Sequence, residues 1–281
     1  LGVILVLYTE NTLKKLYSDK YDPELVSYLS LFLYNNIRIL FAKDENHKIV
    51  AVRTWNLFAS SEVPISNVWK DELYKLDVPT KVFVHNNLFS LVPGVLFNPD
   101  FIGTYLSFAG DLSTDIHPFY SSLESNNYHL VGGIGSQLHQ LLSDGKSDIM
   151  FHHGSSSFLS YCLKERSKFL PQEILIYLFD KAFYMAAFNK QELALFNRFD
   201  IQDRDELLMY LFGITKQLGF ERKYCRYTLL GGKNDFDIKE NWAVEYFKYF
   251  NITHPELNQN YHEGTESFSK TFHLESHWEF I

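Results

Sequence analysis

Hydrophobic and polar positions fall into one pattern that occurs twice along the chain. In the first copy an apolar run, Tyr28–Tyr34, breaks at Asn35–Asn36. The chain resumes as Ile37–Lys43, turns at Asp44–Lys48 and continues as Ile49–Trp55. In the second copy Glu173–Phe179 breaks at Asp180–Lys181, Ala182–Phe188 follows, a turn falls at Asn189–Glu192, and Leu193–Phe199 completes the set. Short runs rich in Ile, Val, Phe and Tyr, bounded by polar turn residues, predict buried strands joined by tight turns. Asn pairs suit such turns because Asn tolerates positive φ. The first two strands repeat at a spacing of 145 positions and the third at 144, one turn residue having been lost.

The elements after each block also correspond. The first is followed by a helix-like stretch at Val68–Leu76, a strand at Lys81–His85, and a helix at Pro99–Ala109. Asn98 is placed to cap that helix, with Pro99 at its first position and Gly110 to close it. The second is followed by a helix over Arg204–Leu218, with Leu207, Leu208, Leu211, Ile214 and Leu218 on one face and Gly219 as its stop. A strand at Tyr224–Leu230 comes next. A further helix is expected from Asp237, with Glu240 completing a capping box and Trp242, Tyr246, Phe247 and Phe250 inward. Each half thus reads as a β-β-β-α-β-α unit. Between them, Val131 ends a strand, Ile134–Leu142 is helix-like, Ile149–His153 is a strand and Phe158–Leu163 a helix. The expected division is a first half over 1–169, with an N-terminal arm over 1–23, and a second half over 170–281, with a polar, His-containing tail over 258–281.

Composition narrows the function classes. Apolar residues make up 46% of the 281 and charged residues 21%, which is globular rather than disordered material. Aromatics at 17% point to a core filled with rings. A net charge of −8, without any stripe of Lys or Arg, argues against nucleic acid as a partner. Two cysteines, Cys162 and Cys225, do not make a disulfide framework and favour a reducing, cytoplasmic setting. The apolar run Leu1–Leu7 is far shorter than the roughly 20 residues of a membrane span, so membrane insertion is not expected.

Other constellations read more simply as structure than as chemistry. Gly132-Gly133-Ile134-Gly135-Ser136 lacks the Lys-Ser/Thr of a P-loop and the glycine spacing of a dinucleotide fingerprint, so a tight turn is the plainer account. His152-His153-Gly154-Ser155-Ser156-Ser157 is not a nucleophile elbow, which needs G-x-S-x-G; a capped helix start explains the serines. His273 and His277 stand four apart without the glutamate position of a zinc-protease motif, so no metal site is expected. Asp200, Asp203 and Asp205 precede a helix, where acids complement its dipole. Cys162 is expected to be an inert, buried thiol.

A tandem pair of such units resembles the plan of the actin-like ATPase (ribonuclease H-like) fold, an α/β fold with two duplicated halves around a cleft. Leu91-Val92-Pro93 with Leu96-Phe97, Asn197-Arg198-Phe199, Asp205 before Leu208–Tyr210, and Leu229-Leu230-Gly231-Gly232 resemble an uncharacterised Bacteroidetes family of that superfamily, similar to the type IV pilus and cell-division actin homologues. The resemblance runs over about residues 25–255. It implies ATP and Mg²⁺ in the cleft, with the first turn of each half cradling phosphates. Such turns normally carry an acid and glycine, so that backbone N–H groups approach phosphate without a Cβ in the way. Here Asn35-Asn36 has neither, and Asp180-Lys181 is followed by Ala182 instead of glycine. Gly231-Gly232 matches the glycine pair that packs on adenosine.

Three expectations follow. One is a non-catalytic scaffold or interaction protein with degenerate phosphate turns, a pseudo-ATPase without catalytic residues. Another is an ATP-dependent enzyme or switch, in which Asp180 organises Mg²⁺, Lys181 meets phosphate, Asn35 lines the first turn and Gly231 and Gly232 hold adenosine. The last is capture of a protein or peptide partner along the inter-domain groove or a sheet edge, which the pilus-associated relatives permit.

Overall fold

The computed structural model describes residues 13–56, 68–110, 115–231, 236, 238–271 and 273–281. Strand β1 (Leu13–Tyr17) lies beside a meander of β2 (Tyr28–Leu33), β3 (Ile37–Lys43) and β4 (Lys48–Asn56). After β5 (Thr80–Val84) comes an insertion of β6 (Phe89–Pro93), α1 (Ile102–Ser107), β7 (Ile116–Leu123), β8 (Tyr128–Gly135) and α2 (Ser136–Ser143). Then β9 (Ile149–His153) leads into α3 (Ser155–Glu165). The second half runs β10 (Gln172–Phe179), β11 (Ala182–Asn189), β12 (Glu192–Asp200), α4 (Arg204–Gln217), β13 (Arg226–Leu230) and β14 (Tyr249–Thr253), and β15 (Asn260–Tyr261) follows.

The duplication is carried by the pairing as well as by the sequence. One sheet runs β4-β3-β2-β5-β9 and the other β12-β11-β10-β13-β14, the same order in each. In both, the meander is antiparallel and the last two strands add in parallel. Even the irregularity repeats. The register shifts between Ala42 and Lys43 against β4, and between Ala187 and Phe188 against β12, which are 145 positions apart in the chain. A β-bulge bends and twists its strand, so the two meanders curl alike. The three-stranded insertion, ordered β6-β8-β7, has no counterpart among the described residues of the second half.

The central strands of both sheets are covered on both faces, which is why they read as nearly unbroken apolar runs. Leu29, Leu31 and Leu33 of β2 face an outer core with Val68, Leu73, Tyr74 and Leu142. Ile174, Ile176 and Leu178 of β10 face another, closed by Leu207, Leu211 and Ile214 of α4. The alternate residues, Phe32 and Phe41 from one sheet and Leu175, Tyr177, Tyr184 and Phe188 from the other, meet around Phe158, Leu159 and Cys162 of α3. That inner core welds the halves together. Among the described residues no helix is long and apolar enough to cross a membrane.

Several elements differ from expectation. Val68–Leu76 forms turns rather than a helix. Asp71 explains part of this: its Oδ1 accepts from the Leu73 N–H at 2.9 Å and its Oδ2 faces Arg53 Nε at 3.5 Å, so side chain competes with helical backbone. The helix expected from Asp237 is instead a 3₁₀ turn at Glu240–Trp242 followed by β14; Asp237 itself lies outside the described residues. The sheet claims this stretch because β13 offers a free parallel edge on which Phe250 can be buried. Strand β8 continues through Gly135, so α2 starts at Ser136. Residues 258–271 and 273–281, grouped by sequence with the second half, lie against the first sheet. There β15 pairs in parallel with Lys48 and Ile49, and Phe268, Leu274 and Trp278 enter the inner core.

Candidate functional site

The two turns singled out by the sequence sit at equivalent ends of the two sheets. Tyr34 N–H donates to Ile37 O at 3.0 Å and closes the first turn over Asn35 and Asn36, both exposed. In the second turn Asp180 takes a left-handed backbone, φ +47°, while neither Asn of the first turn does. Lys181 is exposed and its carbonyl accepts from Ile201 N–H at 2.8 Å. Gly231 follows β13, the parallel neighbour of β10, and so reaches the same end of the second sheet as Asp180. Its φ is +101°, and its N–H is spent on Thr253 O at 2.9 Å. Gly232 lies outside the described residues. The structure thus brings Asp180 and Gly231 to one sheet end and Asn35 to its counterpart.

Residues not foreseen fill the space where those strand ends meet. Glu275, from a 3₁₀ turn at Leu274–Ser276, is 0% exposed. Its Oε2 accepts from the hydroxyl of Tyr34, the residue before the first turn, and stands 3.4 Å from that of Tyr177 on β10. The two hydroxyls are 2.8 Å apart, and Tyr177 also accepts from Leu274 N–H at 3.2 Å. Glu275 Oε1 faces His85 Nε2 at 3.3 Å, and the His85 ring stacks on Tyr34 with centroids 3.8 Å apart. Phe179 meets both Tyr34 and His85 edge-on. A carboxylate at this depth needs several donors to offset its lost hydration, and both halves of the molecule supply them. Burial, with Glu275 as the next cause, holds the Tyr34 and Tyr177 phenols well above their ordinary values, so both keep their protons.

Around the second turn the charges belong to the protein itself. Burial brings the Arg38 guanidinium down to about 10, and the Asp180 carboxylate is the opposing influence. Arg38 extends from β3 of the first sheet, so this attraction spans the two halves. Arg198 Nη2 pairs with Asp200 Oδ1 at 2.8 Å, and its guanidinium stands 5.9 Å from the Phe179 ring centre. Arg38 is thus set against Asp180 and Arg198 against Asp200. A triphosphate at these strand ends would meet the Ala182 Cβ, packed aromatic rings and the carboxylate of Glu275. The residues present do not fit it in this arrangement.

Neighbouring histidines are buried and neutral. His153 Nε2 donates to Asn86 O at 3.1 Å, which leaves Nδ1 to accept from Ser155 Oγ at 2.7 Å. Burial, reinforced by His85, brings His153 down to about 3, and burial with Lys81 brings His152 to about 4. Ser155, Ser156 and Ser157 are fully buried in the first turn of α3. A Cβ on Gly154 would lie 2.3 Å from the His85 ring, so this glycine permits close packing. Gly132 and Gly133 are strand residues whose Cβ positions would strike Phe119 and Leu106, so packing, rather than a turn, explains them. His273 and His277 flank the 3₁₀ turn that carries Glu275. Among the described residues no group of three His, Cys, Asp or Glu is placed to hold a metal. Cys162 and Cys225 are free and buried, their thiols pushed up by burial. Asp203 caps α4, accepting from the N–H groups of Asp205 and Glu206 at 2.9 Å.

The arrangement matches known proteins in fold. A Bacteroides thetaiotaomicron protein with actin-like ATPase fold and unknown function superposes with a TM-score of 0.73 at 16% identity, over 82% of this chain and 91% of that one. A chain of the PilM-PilN type IV pilus biogenesis complex superposes with a TM-score of 0.50 at 10% identity, over 82% of this chain and 88% of that one. No curated protein matches the sequence. The protein therefore has the actin-like ATPase fold, and, with residues 67–250 matching its family model, it belongs to the family described as Protein of unknown function (DUF3822).

Proposed function

We propose that this protein is a non-catalytic member of the actin-like fold, a scaffold for a protein or peptide partner, whose cleft is closed by its own C-terminal segment. The observation that carries this reading is Glu275, fully buried and bound to Tyr34 and Tyr177 at the strand ends that bear the two turns. The Glu275 side chain and the rings around it occupy the space where the strand ends meet, and among the described residues a Mg²⁺ ion there would lose its water without gaining a set of oxygen ligands. The absence of glycine in both turns points the same way, since a Cβ keeps backbone N–H groups from phosphate oxygens. Asp180 faces Arg38, which serves as a counter-ion within the protein. A partner is suggested by the pilus neighbour, whose structure is of a complex with a second protein.

Thermal unfolding with and without Mg·ATP tests the proposal. A ligand at 100 times its Kd stabilises by about 2.7 kcal/mol, which moves Tm by several degrees in a chain of this size. The expected result is no shift at millimolar Mg·ATP and phosphate release at the no-protein background. A saturable rise in Tm, or turnover abolished by Asp180→Ala, would establish instead the ATP-dependent reading in which Asp180, Lys181, Asn35, Gly231 and Gly232 hold nucleotide.

A further inference from the structure

At the other end of the first sheet the same C-terminal segment roofs a cavity of about 340 Å³. It begins at Ser30, five residues along from Asn35, so it lies about 16 Å from the turns at the usual rise per strand residue and is a separate site. Ser30, Lys81 and Met150 form one row across β2, β5 and β9. Tyr28, Pro79, Met150 and Ile281 make much of the wall apolar.

The polar groups that line it are mostly used internally. Glu279 accepts from Lys43 Nζ at 2.7 Å, Ser30 Oγ at 2.8 Å and Gln259 Nε2 at 2.8 Å. Asn258 spends its amide on the backbone of Glu279, donating to its carbonyl at 2.7 Å and accepting its N–H at 2.9 Å. The exceptions are the exposed His47 and Asp148 and the half-buried Lys81. The Lys81 ammonium donates to Phe280 O at 3.2 Å and forms no ion pair among the described residues. The charges that act on it are Glu279, already neutralised by Lys43, and Lys43 itself, a second cation. Asp148 lines the cavity from an exposed position but is not among those charges. A half-buried ammonium with donors to spare, at the wall of an apolar cavity of small-molecule size, has the form of a ligand site. Its charge selects an anion, and its walls select one with a hydrocarbon or aryl body.

We propose that this cavity binds a small monocarboxylic acid with an apolar body, its carboxylate on Lys81 and its body against Tyr28, Pro79 and Met150. The inference is independent of how the cleft is read.

The chain has three methionines, Met150, Met185 and Met209, which makes a ¹³C-methyl NMR titration decisive. Met150 lines the cavity, Met185 is buried in the second sheet and Met209 is exposed on α4. The probes are 3-phenylpropionate, 3-phenylpropanol as the body without the charge, and acetate and inorganic phosphate as the charge without the body. Expected is a saturable shift of the Met150 methyl alone with 3-phenylpropionate, at least tenfold weaker with the alcohol, acetate or phosphate. In Lys81→Met the affinity for 3-phenylpropionate falls at least tenfold. No saturable Met150 shift, equal affinity for acid and alcohol, tighter binding of phosphate, or undiminished binding by Lys81→Met would each overturn the proposal. The probe series on the unaltered protein decides the matter even if the variant does not fold.

Discussion

At the residue scale, the decisive groups are polar ones held where water cannot reach. Glu275 is the clearest: two phenols and an imidazole from both halves converge on it. Its replacement by Ala leaves only one of the Tyr34 and Tyr177 hydroxyls with an acceptor, the other hydroxyl, and a buried unsatisfied group costs about 1–3 kcal/mol. Urea denaturation of Glu275→Ala is expected to show a loss of about 2–4 kcal/mol; a loss under about 0.5 kcal/mol would mean that the cluster contributes specificity rather than stability. None of this was legible in the sequence. Glu275 stands between His273 and His277 in a stretch that reads as polar, and a carboxylate's burial depends on partners 98 and 241 positions away. The signal that could have exposed it was apolar: Phe268, Leu274 and Trp278 are poor residues for a solvated tail.

At the element scale, strands were far more legible than helices. The six strands of the two meanders were expected to within a residue at each end, because the apolar runs stop where the turns start, and in all but β12 most residues on both faces are buried. Helix α4 was equally plain, with three acids ahead of it and an apolar face, and Asp203 among those acids proves to be its cap. The failures at Val68–Leu76 and after Asp237 share a cause. Periodicity there reports which residues are inward, and turns or an added strand satisfy that requirement as well as a helix does. The C-terminal segment shows the reverse problem, being short of regular structure yet central to packing. Trp278 packs edge-on against Tyr161 and donates from its indole nitrogen to Ser160 Oγ at 3.0 Å. Trp278→Ala is expected to cost about 3–5 kcal/mol, as large core truncations do. Chemical denaturation would show this as a lower midpoint; a change below about 1 kcal/mol would place the segment outside the cooperative core.

At the scale of the whole molecule, the buried histidines set a pH dependence. His152 and His153 titrate near 4 and 3 in the folded protein and near 6.5 when unfolded. The unfolded chain therefore binds the protons first, so stability is full above about pH 6.5 and falls as pH drops, by about 1.4 kcal/mol per unit for each histidine. Glu279 adds to the fall at lower pH. Burial alone would raise its carboxyl, but Lys43, Lys81 and Ser30 outweigh burial and hold it below its ordinary value, so its contribution disappears as pH drops beneath about 4.5. Urea midpoints at pH 7.5, 6 and 5 should decline steadily, and a flat profile across that range would show that these histidines are solvated. What the sequence by itself determined was the pair of meanders, their 145-residue spacing and the loss of glycine from both turns, because local apolar periodicity and turn chemistry need no distant partner. The tertiary structure alone decided that the chain's last residues return to the first sheet, fill the meeting point of the two halves and roof a cavity on the other side. Burial of a charge is settled by groups far apart in sequence, and only folding brings them within reach of one another.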